Sequence, residues 1–350
     1  MEINFELLKR LSEIPGISGF EQPIRSFVIS VLNELGYQSK IDSLGNLLVE
    51  VKGIDSSRKA VAAAHLDEIG FIITHLNEQG FARFHTVGGF DPKTLVAQRV
   101  IAHGKQPLIG VMGSKPIHVM SEEDKAKRLK TTDFYIDFGL PGETVKENLF
   151  IGTPVTRDRE LIWLGNCLNG KSLDNRISVY VLLETLRLLK ETPPAVDFWA
   201  VFSVQEEVGT RGAWVAAHTL NPDFAFGIDT TIAFDTPDAA EHERITSLGK
   251  GTAIKIMDGG VIADSRMVAF MKQQADEAGI EWQPEILPAG GTDTAPLQRA
   301  GKSGAIAGCV SIPTRHIHST IESVHKHDVI ESIKLLTRCL QQLHTFSAQF

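Results

Sequence analysis

Apolar positions near the start of the chain recur every three or four residues, the spacing that places side chains on one face of a helix. One such stripe lies within residues 5–11, and a second spans residues 24–35 and stops at Gly36. Ser18 and Glu21, just before the second stripe, have the spacing of a capping box. The sequence therefore predicts two amphipathic helices before the first long strand.

The pattern then changes to strands. Residues 46–51 and 60–64 are predicted strands, and the second is short and almost wholly apolar, which is typical of a sheet covered on both faces. From about residue 70 to 162, short apolar stretches are divided by Gly and Pro turns. The strands predicted there are residues 71–75, 82–85, 96–103, 108–112 and 134–137. We interpret residues 70–162 as a small, barrel-like β domain.

Helices and strands alternate again after residue 163, which is typical of an α/β domain. The predicted helices are residues 179–189, 213–218, 266–278 and a last amphipathic segment from 330 to 343; the predicted strands are 196–204, 224–228, 252–257 and 305–310. We predict a doubly wound mixed sheet with helices on both faces. Residues 1–69 and 163–350 would form this catalytic domain, and residues 70–162 would interrupt it as an inserted domain.

Composition narrows the class of protein. The chain has 350 residues, enough for one large α/β domain and a smaller one, and its net charge of -8 argues against a nucleic-acid surface. No apolar stretch approaches the roughly 20 residues needed to span a bilayer. The three cysteines, Cys167, Cys309 and Cys339, are far apart and fit neither a disulfide framework nor a thiolate zinc site. We expect a cytoplasmic protein that acts on small molecules or peptides, without a nucleic-acid or membrane partner.

Two adjacent acids give the first indication of chemistry. Glu206 and Glu207 follow the apolar run of residues 195–204, where a buried strand would end and a loop begin. Open α/β sheets carry their active sites at this edge. Neighbouring side chains on an extended segment point apart, so one acid can hold a metal while the other moves protons.

Other residues supply what such a pair of acids needs. They are His65, Asp67, Asp174, Asp229 and His318. Oxygen and imidazole ligands without thiolates suit zinc, cobalt or manganese in a catalytic site that leaves positions for water and substrate. In a two-metal hydrolase one carboxylate bridges the ions, and each ion takes a further carboxylate and a histidine.

Taken singly, these residues have ordinary structural interpretations as well. His65 beside a strand end could be a hydrogen-bonded structural residue, and Asp174 could cap the helix that begins at the next residue. Asp229 and the Glu206–Glu207 pair could be solvated loop acids. The coincidence of hard ligands at several strand ends and helix starts favours a metal site. The polar segment 290–294 could line the substrate pocket or be a plain turn.

Several segments in order resemble one family along the whole chain. They are Ala-His-Leu-Asp-Glu-Ile-Gly-Phe at 64–71, Gly-Ser-Lys-Pro-Ile-His at 113–118, Leu-Asp-Asn-Arg at 173–176, Gln-Glu-Glu-Val-Gly at 205–209, Gly-Gly-Thr-Asp at 290–293 and Pro-Thr-Arg-His-Ile-His-Ser at 313–319. Together they resemble the tetrahedral or glutamyl aminopeptidases, metallopeptidase family forty-two of the co-catalytic zinc exopeptidases. The sequence departs from the family pattern at Ser178, where Gly is usual, and at His316, where Tyr is more usual.

The resemblance implies a role for each candidate residue. Asp174 would bridge two divalent ions, with His65 and Asp229 at one and Glu207 and His318 at the other. Glu206 would be the general base, and Asp67 would orient His65. Zinc is the implied metal, with cobalt or manganese as alternatives.

The resemblance also implies an activity and an assembly. The chain would remove amino-terminal residues from short peptides, and its subunits would form dimers that build a dodecamer through the inserted β domain. The alternatives are an endoglucanase-type glycoside hydrolase, which needs two carboxylates and no metal, or a deacylase. A third alternative is a non-catalytic assembly subunit, which should have lost ligands that this chain retains.

Overall fold

A computed structural model of the chain describes residues 1–237 and 239–347. Asp238 and residues 348–350 lie outside the described residues. Among the described helices, none combines the length and the apolar character that crossing a bilayer requires.

The helices and strands alternate as the apolar pattern predicts. In the described part of the chain the α-helices are α1 (Phe5–Glu13), α2 (Gln22–Glu34), α3 (Glu122–Ala126), α4 (Gly142–Asn148), α5 (Leu173–Leu189), α6 (Arg211–Leu220), α7 (Ser265–Ala278), α8 (Thr294–Arg299) and α9 (Lys326–Gln342). The strands of the first half are β1 (Ser39–Ile41), β2 (Leu47–Val51), β3 (Asp55–His65), β4 (Gly70–Leu76), β5 (Phe81–Val87), β6 (Arg99–His103), β7 (Pro107–Gly113), β8 (Tyr135–Asp137) and β9 (Pro154–Arg157). Those of the second half are β10 (Ile162–Leu164), β11 (Cys167–Gly170), β12 (Val196–Ser203), β13 (Phe224–Ile232), β14 (Thr252–Met257), β15 (Trp282–Ile286), β16 (Ile306–Arg315) and β17 (Glu322–His325).

One large mixed sheet forms the centre of the molecule. Its strand order is β1-β2-β12-β3-β13-β16-β17-β11-β10, and β14 and β15 extend it beside β16. The strands β12, β3, β13 and β16 pair in parallel, so their carboxyl ends lie at one edge. Helices cover both faces, and the predicted α/β class with a doubly wound mixed sheet is confirmed.

The two faces of the sheet carry separate apolar cores because side chains alternate along a strand. Ala60, Ala62 and Ala64 of β3 pack into the core beneath α1, α5, α7 and α9. Val61 and Ala63 face the other way, into a core beneath α6 and α8. An unbroken apolar run is therefore what a strand covered on both faces requires.

The strands β4 to β9 form a second unit, a closed antiparallel barrel in the order β4-β5-β8-β7-β6-β9. It has its own apolar core, which includes Phe71, Val100 and Ile136. The barrel strands lie between Gly70 and Arg157, and the chain returns to the large sheet at β10. The short strands with Gly and Pro turns thus form the barrel-like β unit that the sequence predicts.

Several local predictions differ from the structure. Helix α5 begins six residues before the predicted start, and the predicted capping box of Ser18 and Glu21 is wrong. Helix α2 has no side-chain cap bond, and the Ser18 hydroxyl donates instead to Asp67 at 2.7 Å. Glu21 accepts the backbone N–H groups of Gly19 and Gln205. A tertiary contact therefore takes the hydroxyl that a local cap would use.

Arg176 connects helix α5 to the chain segments on both sides of it. Its guanidinium is fully buried and donates to the carbonyl oxygens of Leu66, Leu11 and Ile14. A guanidinium Nη also lies 3.6 Å from the buried carboxylate of Glu68. This network fixes the first turn of α5 against the end of β3.

We expect Arg176→Met to lower the free energy of unfolding by about 3–5 kcal/mol. The change leaves buried carbonyl oxygens without a donor and removes a positive partner of the buried Glu68 carboxylate. The matched control is Arg187→Met on the same helix, where the half-exposed guanidinium pairs with Glu184 at 2.8 Å. That change should cost at most about 1 kcal/mol. Urea unfolding followed by circular dichroism measures the stability of both variants. Equal losses of stability would contradict the role of Arg176 in joining α5 to the end of β3.

Candidate metal centre

The carboxyl ends of β3 and β12 bring a histidine and two acids together. These strands pair in parallel, with His65 aligned to Ser203. Gln205 has a left-handed φ of 56°, so the chain turns directly before Glu206 and Glu207. As a result, a carboxylate oxygen of Glu206 lies 3.8 Å from Nε2 of His65.

Helix α5 and strand β13 supply two aspartates. Asp229 lies within β13 rather than after its end, but the pairing of β13 with β3 stops at Gly227. Its side chain is therefore at the same edge of the sheet as His65. Asp174 lies in the first turn of α5, and the Asn175 side chain next to it donates to the carbonyl oxygen of Ile228 at 2.9 Å.

His318 comes from the loop that connects β16 to β17. It has a left-handed φ of 63°, and its side chain is 34% exposed, more than the other ligand candidates. Its backbone N–H donates to the carboxylate of Glu322 at 3.0 Å. The loop thereby turns the imidazole toward Asp174.

The five candidate ligands form two groups that share one aspartate. His65, Asp174 and Asp229 form one group, and Asp174, Glu207 and His318 form the other, with the ligand atoms of each group within 4.8 Å of one another. Oδ1 of Asp174 lies 3.6 Å from His65 Nε2, and Oδ2 lies 3.4 Å from His318 Nε2. Glu207 approaches His318 Nε2 to 3.2 Å, and Asp229 approaches His65 Nε2 to 3.8 Å. One carboxylate oxygen of Asp174 therefore faces the histidine of each group.

Burial and crowding disfavour the charged forms of three acids at the centre. Burial raises the pKa of Glu206, Glu207 and Asp229, and the neighbouring carboxylates raise it further, whereas the histidines oppose the shift. One oxygen of Glu207 is buried with no hydrogen-bond partner. Such a set of crowded acids is stabilised by a cation.

Asp174 and the two histidines show the opposite trend. Burial alone would raise the pKa of Asp174, but contact with His318 and His65 lowers it below its usual value. Burial likewise works against the charged imidazoles, yet the surrounding carboxylates raise the pKa of His65 well above its ordinary value and that of His318 to about 11. The carboxylates thus favour positive charge on the two histidines, at the positions where a metal ion would otherwise supply it.

The donor chemistry fits divalent metal ions. Each group combines one imidazole nitrogen with two carboxylates, a nitrogen and oxygen donor set that suits zinc, cobalt or manganese. The unpartnered oxygen of Glu207 and the mutual repulsion of the acids both favour a bound cation.

Asp67 links the two ligand-bearing loops. Its carboxylate accepts the backbone N–H groups of Glu206 at 3.0 Å and Glu207 at 3.1 Å, as well as the Ser18 hydroxyl. Nδ1 of His65 lies 3.0 Å from the backbone carbonyl oxygen of Asp67 and 3.4 Å from its carboxylate. With the proton on Nδ1, Nε2 is left to face Asp174. The contacts with Ser18 and with the two backbone amides are not predictable from the spacing of the sequence.

An open cavity of about 600 Å³ lies over the two groups. Gly290, Gly291 and Thr292 line it, as one of the two interpretations of segment 290–294 expects. The next residue, Asp293, is fully buried and accepts a hydrogen bond from the Ser203 hydroxyl. The sequence pattern included Asp293 only as part of segment 290–294 and assigned no role to Glu322, because a single buried acid has no periodic signature.

Comparison with known proteins identifies the family of the chain. The family model for M42 glutamyl aminopeptidases matches residues 45–335. A lysyl aminopeptidase of Pyrococcus furiosus is 32% identical, and the alignment covers 97% of this chain and 98% of that protein.

Solved structures show the same fold over nearly the whole chain. An aminopeptidase of the archaeon Desulfurococcus kamchatkensis has a TM-score of 0.92 at 34% identity, with 98% of this chain and 97% of that chain covered. The TET1 peptidase of Pyrococcus horikoshii, which can assemble into a tetrahedron or a large octahedral shell, has a TM-score of 0.85 at 30% identity, with 96% and 98% covered. The chain belongs to the M42 glutamyl aminopeptidase family, and its activity is that of a peptide-hydrolysing enzyme.

Proposed function

We propose that this aminopeptidase uses two divalent metal ions held by the two ligand groups. The observation that carries the proposal is that these groups share Asp174. Asp174 would bridge the ions, His65 and Asp229 would complete one position, and Glu207 and His318 the other. Zinc is the proposed metal, with cobalt or manganese as alternatives, because the donors are nitrogen and oxygen.

Glu206 is the proposed general base. It belongs to neither ligand group, yet its carboxylate reaches 3.8 Å from His65 Nε2. Divalent ions in this site would acidify a water molecule and polarise the scissile carbonyl. The Glu206 carboxylate takes a proton from the attacking water and returns it to the leaving amine. Asp67 keeps Glu206 in place by accepting its backbone N–H.

The proposed substrates are short peptides with a free amino terminus. An ammonium group is attracted to the acidic floor of the cavity, which Glu206, Glu207 and Asp229 line. Capture of that group beside the scissile bond would limit cleavage to one residue at a time. A glycosidase that works through two carboxylates has no need of the histidines that lie between these acids.

We further propose that the chain forms a homo-oligomer, with dimers that assemble into a dodecamer. The behaviour of the Pyrococcus horikoshii relative supports a large assembly. Residues 70–162 would be an inserted domain that carries the subunit contacts, while residues 1–69 and 163–350 carry the chemistry. The exposed apolar side chains Ile109, Ile117 and Val119 support this role for the barrel unit.

The free thiols of all three cysteines support a reducing, cytoplasmic compartment.

Chelation tests the proposed metal dependence. We expect metal-free protein to release no arylamine from a panel of aminoacyl arylamides, because the attacking water is no longer acidified. Readdition of zinc, cobalt or manganese should restore the release. Metal content by mass spectrometry should approach two ions per chain, and full turnover by metal-free protein would refute the two-metal proposal.

Replacement of the base tests the role of Glu206. Glu206→Gln should lower arylamide turnover by about 10²–10⁴-fold, the typical contribution of a general base. Its metal content and melting temperature should stay close to those of the wild type, because Glu206 is outside both ligand groups. Glu277→Gln, a surface change on α7, is the control, and unchanged turnover in Glu206→Gln would remove the base assignment.

Light scattering tests the assembly. The wild-type molar mass should be a multiple of the 38.4 kDa chain. Ile117→Asp, at a side chain 62% exposed on the barrel unit, should reduce that mass because it places a charge in an apolar contact. Ile54→Asp, at a side chain 77% exposed outside the barrel, should leave it unchanged. A monomeric wild type, or equal effects of the two variants, would contradict this role of the barrel.

A further inference from the structure

Glu322 lies behind the metal centre, at the first position of β17. Its side chain is fully buried, and its backbone pairs with Gly170 of β11. It belongs to neither ligand group. The residue sits between the first turn of α5 and the loop that carries His318.

The two oxygens of this carboxylate hold two metal-site residues by their backbones. Oε2 accepts the N–H of Asp174 at 3.0 Å, and Oε1 accepts the N–H of His318 at 3.0 Å. These two residues are 144 positions apart in the sequence and share one ligand group with Glu207. A single side chain therefore sets the distance between the start of α5 and the β16–β17 loop.

A neutral side chain cannot replace these contacts. A glutamine offers one acceptor oxygen, and its amide nitrogen would face one of the two N–H donors. That N–H would be left buried and unpaired, which is unfavourable in free energy. Movement of the loop or of the helix start would relieve the unfavourable contact. Either movement shifts Asp174 or His318 relative to the rest of the group that they form with Glu207.

We propose that Glu322 is a positioning residue that pre-organises Asp174 and His318 for metal binding. This inference rests on the proposed two-metal function. Residues that orient metal ligands typically change metal affinity by about 10–100-fold when they are replaced. The effect should fall on the position formed by Asp174, Glu207 and His318, because both backbone contacts belong to that group.

The chain contains a matched control for this carboxylate. Asp328, at the start of α9, is also fully buried, and its two oxygens accept the backbone N–H groups of Gly249 and Gly251, each at 2.8 Å. Those bonds fix a loop outside the metal centre. Asp328→Asn therefore makes the equivalent change, replacing one of two acceptor oxygens by an amide nitrogen, without touching a proposed ligand.

The experiment titrates zinc into metal-free wild type, Glu322→Gln and Asp328→Asn by calorimetry, with urea unfolding of each metal-free protein in parallel. We expect Glu322→Gln to weaken one zinc site by about 10–100-fold. Asp328→Asn should keep wild-type zinc affinity although it also loses stability. If Glu322→Gln does not fold, Glu322→Asp takes its place, since the shorter carboxylate cannot reach both amides.

Two results would overturn the inference while leaving the two-metal function intact. One is wild-type zinc affinity at both sites in the Glu322 variant, and the other is an equal loss of affinity in Asp328→Asn, which would indicate a general effect of destabilisation. A wild type that binds no zinc, cobalt or manganese would overturn both the inference and the proposed function.

Discussion

Repulsion among buried carboxylates is the constraint on which the site depends. Asp174, Glu206, Glu207 and Asp229 line one cavity at the edge of the sheet, and their side chains are only 6–11% exposed, so water screens their like charges weakly. In proteins, such a group of acids is costly unless positive charge accompanies it. Divalent cations bound between these acids would supply that positive charge.

The fold withstands that repulsion by fixing the backbone behind the acids. Asp67 accepts the N–H groups of Glu206 and Glu207, and Glu322 accepts those of Asp174 and His318. In each case one buried carboxylate ties together two residues that face the cavity. Asp67 and Glu322 thus orient the residues of the centre through their backbones. Neither of these two carboxylates lines the cavity itself.

The parallel strands explain why residues so distant in sequence meet. Because β12, β3, β13 and β16 run in one direction, these four strands end at the same edge of the sheet. The loops that follow these strands, together with the start of α5, can therefore combine their side chains. The barrel strands β4 to β9 lie between β3 and β10 along the chain and pair only with one another, so the strand order of the large sheet is unbroken.

The sequence by itself determined the fold class, the barrel-like unit and the candidate acids and histidines, because apolar period and strand-end position are local properties. Apolar period and strand-end position did not say which of these residues lie together, and only the tertiary structure shows the contact of Asp174 with both His65 and His318, since that contact depends on strand order. It also decided the hydrogen-bond partners of Ser18 and Glu322. Ser18 has the local spacing of a helix cap yet bonds to Asp67, because a hydroxyl donates to whichever acceptor the folded chain brings closest.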